Sequence, residues 1–276
     1  MTMQSAMVNG IRLEYEARGA GEPLALIHCN LIADAFAPLM DQPALSGYRL
    51  IRYHRRGYVG SSRAEGPVSI ADQAADLSGL LGHLGVRRAH IAGHSYGGLI
   101  ALQLAADYPD MVGALMLMEP PLLGGQDYIG GPASQAISRR MPLLFQRYRE
   151  GDREGAADGF LSPVFGPGYR ELLEQVLPGS WTQATRDVDM LFTVESPALR
   201  EWRFGAAEAQ RITAPMLSLG GGESDPAFFE VEQLLREWFP QLETVRVPGV
   251  NHLLQLRWPR LVAEALAEFL ARHPLS

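Results

Sequence analysis

The stretch Ala89-His90-Ile91-Ala92-Gly93-His94-Ser95-Tyr96-Gly97-Gly98-Leu99 decides how the rest of this chain is read. Ala89–Ala92 is an apolar run of strand length, and Leu99–Ala106 continues as a helix. Between them lies Gly93-His94-Ser95-Tyr96-Gly97, a G-x-S-x-G pattern. A serine held on so tight a turn projects its Oγ above the sheet edge, at a helix N-terminus. The flanking positions call for glycine because side chains there would strike the neighbouring strand or helix. Gly98 lets the helix pack closer still. Ser95 is therefore the candidate nucleophile.

The alternation of strand and helix extends both ways. Upstream, Leu24–Ile27 and Tyr48–Tyr53 read as buried strands, and Ser69–Leu84 as an amphipathic helix with Ser69 as N-cap. Downstream, Val112–Met118 is a strand. Met216–Leu219, Phe228–Trp238, Leu242–Val247 and Arg260–Arg272 then alternate as strand, helix, strand, helix. Such alternation implies a mostly parallel central sheet flanked by helices on both faces. From Pro120 to about Gly205 it stops. Helical pieces over Ser134–Glu150, Arg153–Phe160, Tyr169–Leu177 and Trp181–Val194 appear instead, interrupted at Pro163, Gly166-Pro167-Gly168, Pro178-Gly179 and Pro197. The expected organisation is an α/β core of residues 1–119 and 206–276, with residues 120–205 as a helical insertion.

The 276 residues make one large domain or two small ones, and 47% apolar with 20% charged residues is ordinary globular usage. All 24 cationic residues are arginine, set against 31 acidic ones for a net charge of −7. The absence of lysine excludes Schiff-base chemistry, a pyridoxal-phosphate anchor, a P-loop and the kinase lysine. The acidic balance argues against nucleic acid or an anionic membrane as partner. One cysteine, Cys29, forbids an internal disulfide and reads as a buried apolar filler. No cluster has metal-ligand spacing, so neither metal nor cofactor is expected. Met1–Gly10 shows no signal-peptide pattern and no apolar run approaches about 18 residues, so the expectation is a soluble cytoplasmic protein, compatible with a homo-oligomer.

A serine nucleophile needs a base. His252 follows the strand Leu242–Val247 through Pro248-Gly249-Val250-Asn251, which puts it over the same sheet edge as Ser95 and late in the chain. His94 fills the variable position of the turn and reads as structural; His83, His90 and His273 read as surface or helix-end residues. The developing oxyanion needs two backbone N–H groups. One is that of Tyr96, directly after the nucleophile. The other belongs to the loop His28-Cys29-Asn30-Leu31.

With these motifs in place, the chain resembles the α/β-hydrolase fold family, in its single-domain, lid-bearing form. The likeness rests on His28-Cys29-Asn30, on Arg55-Arg56-Gly57-Tyr58-Val59-Gly60-Ser61-Ser62, on Gly93–Gly98 and on Asn251-His252. It implies Ser95 as nucleophile, His252 as general base, and a helical cap inserted after the sixth strand. It also implies that Asn30 supplies the second oxyanion N–H, with Cys29 where the family usually has glycine. His54 stands where the family usually has aspartate, and Arg55–Ser62 reads as a structural turn.

The triad's acid is open between two places. Family members carry it after the strand that follows the insertion, here Gly220-Gly221-Gly222-Glu223-Ser224-Asp225, where different counts select Asp225, Glu223 or Ser224. Other branches carry it one strand earlier. Glu119 ends Val112–Met118, and its offset from Ser95 resembles that in haloalkane dehalogenases and some lactone hydrolases. Asp225 and Glu119 stand level, with Glu223 third.

A serine at this turn points to acyl transfer on an ester or lactone. Dehalogenases and epoxide hydrolases of the family use aspartate there, which speaks against both. The apolar residues Met141, Leu143, Leu144, Phe145, Tyr148, Phe160, Phe165, Trp181, Phe192 and Trp202 read mainly as cap packing, with a minority lining a cleft for a mainly apolar small molecule. Arg139 and Arg140 read as a solvated helix face. The same scaffold also hosts cofactor-free oxygenases, perhydrolases, C–C hydrolases and slow-turnover ligand receptors.

Overall fold

A computed structural model of the chain describes residues 3–63, 66–122 and 130–275. The strands are β1 (Gln4–Val8), β2 (Ile11–Arg18), β3 (Glu22–Ile27), β4 (Tyr48–Tyr53), β5 (Ala89–His94), β6 (Val112–Met118), β7 (Met216–Gly221) and β8 (Glu243–Val247). They form one sheet in the order β1-β2-β4-β3-β5-β6-β7-β8. All neighbours from β4 onward pair in parallel, whereas β1 pairs with β2, and β2 with β4, antiparallel. The apolar-run reading passes over β1 and β2, although Asn9-Gly10 is a hairpin signal. Both residues have positive φ (50° and 79°), as the turn between Val8 and its partner Ile11 requires.

The central strands are unbroken apolar runs because both faces are covered: every residue of β5 and β6 is buried. Alternate side chains go to opposite cores. Leu115 and Leu117 of β6 pack with Leu77 and Leu80 of helix α1 (Ile70–His83) and Leu99 and Leu102 of helix α2 (Tyr96–Asp107). Met116 and Met118 pack on the other face with Val262 and Leu266 of the C-terminal helix Pro259–Arg272. Ser69 closes the start of α1 as expected: its Oγ accepts from Asp72 N at 3.0 Å, and Asp72 accepts from Ser69 N at 2.8 Å.

After β6 comes the helical insertion: α3 (Pro132–Arg149), α4 (Arg153–Phe165), α5 (Tyr169–Val176) and α6 (Ser180–Arg186). A π-turn over Met190–Glu195 then leads into a short helix, Ser196–Glu201. Two expectations shift here. Helix α4 runs through Pro163 to Phe165, and the helix expected over Trp181–Val194 ends at Arg186. Beyond it, tertiary contacts override local periodicity: Asp187 accepts from Val59 N at 3.3 Å, and Met190 packs with Ala33 and Tyr58. The insertion sits on the loops after β3 and β8. Cys29, Leu31 and Ile32 share a cluster with Ala156, Phe165, Leu173, Ala184, Leu253 and Leu256, so Cys29 is the buried filler expected of it. The other end is pinned by helix α7 (Pro226–Trp238), whose Glu230 caps α3. It accepts from Ala133 N and Ser134 N, both at 2.9 Å, where Gly131 has no side chain to offer.

Candidate active site

Ser95 stands between β5 and α2 with φ 53° and ψ −123°, a conformation a non-glycine residue holds only when its surroundings impose it. Its N–H donates to Met118 O at 2.8 Å, and its carbonyl accepts from Gly98 N at 2.8 Å. The glycine requirement is steric. A Cβ on Gly97 would lie 2.2 Å from the Ile27 carbonyl oxygen, and one on Gly93 would lie 2.3 Å from that of Gly97. Neither backbone can give way.

His252 is buried on the loop after β8, and its Nδ1 lies 2.6 Å from Glu119 Oε2. The other oxygen of Glu119 accepts from Gly221 N at 2.8 Å. Strand register explains why this carboxylate meets His252. Met118 of β6 pairs with Leu219 of β7, which places Glu119 beside Gly220. A side chain there would crowd it: a Cβ on Gly220 would lie 3.2 Å from Glu119 Oε1. The glycines ending β7 thus make room for a carboxylate that belongs to the strand before. Glu119 itself has φ 51°, a turn that breaks it away from β6.

Asp225 is not brought to His252. Its carboxylate accepts from Ala227 N at 3.0 Å and caps α7, so it is committed to the helix end. Glu223 is exposed on the preceding turn, and Ser224 is buried with its Oγ unpartnered.

His252 is held by Phe228 and Gln255, which sequence reading does not single out, together with His94, which it reads as structural, and its neighbour Asn251. Phe228 stacks on it at 4.2 Å with the planes 10° apart. His94 Nε2 donates to the His252 carbonyl at 3.0 Å, while Gln255 Nε2 donates to His94 Nδ1 at 2.8 Å. Burial, and then the neighbouring His252, hold His94 well below the ordinary histidine range, so it serves as a neutral strut. Asn251 ties this loop to the insertion through Nδ2, which donates to Phe165 O at 2.6 Å.

The loop after β3 is pinned from behind. Arg55 N donates to His28 Nε2 at 3.0 Å, which leaves the ring proton on Nδ1 to meet Cys29 O at 2.7 Å. Arg55 Nη2 donates to the same carbonyl at 3.1 Å. In a trans peptide C=O and N–H point opposite ways, so two donors on Cys29 O also fix the N–H of Asn30. Cys29 has no positive φ and needs no glycine; the left-handed residue is Leu31, at φ 64°.

Arg55 also explains the motif around it. Fully buried, it pairs with Glu195 of the π-turn (Nη1 to Oε1, 2.6 Å) and donates to Gln73 at 2.7 Å. Glu195 Oε2 in turn accepts from Asn30 Nδ2 at 2.5 Å and from the Tyr58 hydroxyl at 2.8 Å. One ionic cluster therefore joins the β3 loop, the turn after β4 and the insertion. His54 bridges Glu14 and Asp34, each at 3.1 Å.

Ser95, His252, Tyr96 and Asn30 all line one cavity of about 1090 Å³ between the sheet edge and the insertion. Of the apolar residues singled out in the sequence, Met141, Leu144, Phe145, Phe160 and Phe165 face this cavity. The rest serve packing or the surface: Tyr148 stacks on Phe192, Trp181 meets Tyr169, Trp202 joins the core under the sheet, and Leu143 is exposed. Among the described residues no helix is long and apolar enough to cross a membrane.

A model of the alpha/beta hydrolase fold family matches residues 22–257. Among curated proteins, the 2-hydroxy-6-oxo-6-phenylhexa-2,4-dienoate hydrolase of Comamonas testosteroni is 26% identical over 223 residues, covering 72% of this chain and 72% of that one. Among solved structures, a thermophilic esterase from Thermogutta terrifontis matches with a TM-score of 0.78 at 22% identity, over 99% of this chain and 100% of its own. The enol-lactonase from Burkholderia xenovorans LB400 matches with a TM-score of 0.73 at 22% identity, over 97% and 100%.

Proposed function

This chain belongs to the alpha/beta hydrolase fold family, and from that premise we propose a serine hydrolase that cleaves a carboxylic ester or lactone of a mainly apolar small molecule. The observation that carries the reading is the 2.6 Å contact of His252 with Glu119, in a cavity that His252 shares with a conformationally strained Ser95. Glu119 accepts from Nδ1–H and so leaves the Nε2 lone pair free to take the Ser95 proton. Ser95 Oγ attacks the carbonyl, and the N–H groups of Tyr96 and Asn30 receive the oxyanion. His252 returns the proton to the leaving alkoxide, then activates the water that hydrolyses the acyl-enzyme. Residues 120–205 act as the cap that shapes the acyl pocket, over a core of residues 1–119 and 206–276. Serine rather than aspartate at position 95 separates this chemistry from epoxide opening.

The test is hydrolysis of p-nitrophenyl esters from acetate to octanoate, beside Ser95→Ala. Turnover that vanishes in the variant is expected. Equal inertness of both proteins would overturn the reading and favour the oxygenase, C–C hydrolase or receptor alternatives.

A further inference from the structure

The cavity wall has a charge pattern that the proposed chemistry does not use. Four arginines line it at solvent-exposed positions: Arg140 and Arg149 on α3, and Arg200 and Arg203 after the π-turn. The carboxylate that lines it, Glu195, is already neutralised by Arg55. Among the described residues none of the four arginines has an ion-pair partner, although acidic residues outnumber basic ones in this chain. Some arginines elsewhere are paired, as Arg52, Arg56 and Arg153 are, and others among the described residues, such as Arg12 and Arg147, are not, so what sets the four apart is that they line one cavity together. Two of the four are also held in place. Arg203 Nη1 donates to the carbonyls of Arg200 at 2.9 Å and Trp202 at 3.1 Å, and the Arg200 guanidinium lies 5.4 Å from the Phe145 ring centre. The same cavity that holds these arginines and Ser95 has a mostly apolar lining, with Leu144, Phe145, Phe160, Val164, Phe165 and Phe228 among its residues.

We propose that the substrate is an ester or lactone with a carboxylate at the end of an apolar body, the carboxylate being received by these wall arginines. This rests on the acyl-transfer reading of Ser95. A cleft of one charge sign with low-dielectric walls focuses its field and raises the local concentration of the opposite charge. A guanidinium with free N–H groups offers a carboxylate two parallel hydrogen bonds, and a volume of about 1090 Å³ leaves room for a body several carbons long. Arg139 is as exposed as these four but does not line the cavity.

The experiment compares mono-p-nitrophenyl glutarate, adipate and suberate with their neutral methyl diesters at 20 mM and 500 mM NaCl. The acids are expected to be at least tenfold better in kcat/KM at low salt for one chain length, mainly through KM, and to lose most of that advantage at high salt. In Arg200→Gln/Arg203→Gln, and separately in Arg140→Gln, the acid-to-ester ratio should fall at least threefold. A ratio at or below one for all three lengths, or a ratio that the salt and both variants leave unmoved, overturns the inference. A neutral fluorophosphonate keeps the two claims apart. Labelling of Ser95 with a ratio of one sinks the carboxylate alone, whereas no labelling sinks the acyl-transfer reading and this inference together.

Discussion

Glu119→Gln is the perturbation that separates the two carboxylates left level by the sequence. Glu119 presents Oε1 to Gly221 N–H at 2.8 Å and Oε2 to His252 Nδ1 at 2.6 Å. A glutamine in the same place keeps its carbonyl oxygen on the Gly221 N–H, since an NH2 group cannot accept there. Its NH2 then faces Nδ1 and donates to it. The imidazole must carry its proton on Nε2, the atom that has to take the proton from Ser95. Turning the amide round would restore the tautomer but set donor against donor at a buried backbone group. That costs about 1–3 kcal/mol, or roughly five- to 150-fold in population. The charge that stabilises the imidazolium is lost in either orientation. Together these losses amount to about 10⁴ in kcat, the value for amide replacement of a triad carboxylate. Asp225→Asn is the paired control. Asparagine caps a helix about as well as aspartate, so kcat should stay within about twofold and stability within about 0.5 kcal/mol. The assay is kcat on p-nitrophenyl butyrate, with circular dichroism to show both variants folded. A Glu119→Gln enzyme within tenfold of the parent, or an Asp225→Asn enzyme down more than a hundredfold, would refute the reasoning.

Three further outcomes are expected. Glu195→Gln leaves the fully buried Arg55 uncompensated, which should lower stability by about 3–5 kcal/mol in urea titration and also reduce kcat through the loosened Asn30; an unchanged midpoint would dismiss the ionic cluster as a tie between insertion and core. His28 and His94, both buried, sit well below the ordinary histidine range chiefly because burial penalises their charged forms. The unfolded chain therefore binds more protons below about pH 6.5. Stability should be at its plateau above that pH and fall on acidification by about 1.4 kcal/mol per unit for each of the two, a slope that urea midpoints between pH 7 and pH 5 would show or deny. Burial pushes the Cys29 thiol up to about 12, so Ellman's reagent at pH 8 should leave the native protein untouched and titrate one thiol once it is unfolded; rapid reaction in the native state would contradict the packing of that loop.

How much could be read in advance follows from the range over which each feature is set. The turn that carries Ser95 is local: a strand-length apolar run, two glycines around a serine and a helix are consecutive in the chain, and their mutual clashes at 2.2–2.3 Å need no distant residue except the end of β3. Ser95, the parallel core and the helical insertion were legible for that reason, and so was His252, because a loop after a strand end can only lie over that edge of the sheet. The hairpin β1–β2 carried its signal in Asn9-Gly10, but its alternating, half-exposed pattern lacks a long apolar run. The acid was different. Asp225 and Glu119 both follow strand ends, and only the pairing of Met118 with Leu219, 101 positions apart in register, decides which carboxylate meets His252. Phe228 against the His252 ring, Glu195 against Arg55 and Asn30, and four arginines in one cavity wall are likewise contacts between segments far apart in sequence. No periodicity or spacing encodes such contacts, because each depends on how strands register and how the insertion settles on the loops beneath it. The sequence by itself thus determined the scaffold and the placing of Ser95 and His252 at one sheet edge, while the carboxylate that meets His252, the bracing of the loop after β3 and the charge of the pocket were decided only when tertiary packing brought distant side chains within a few ångströms.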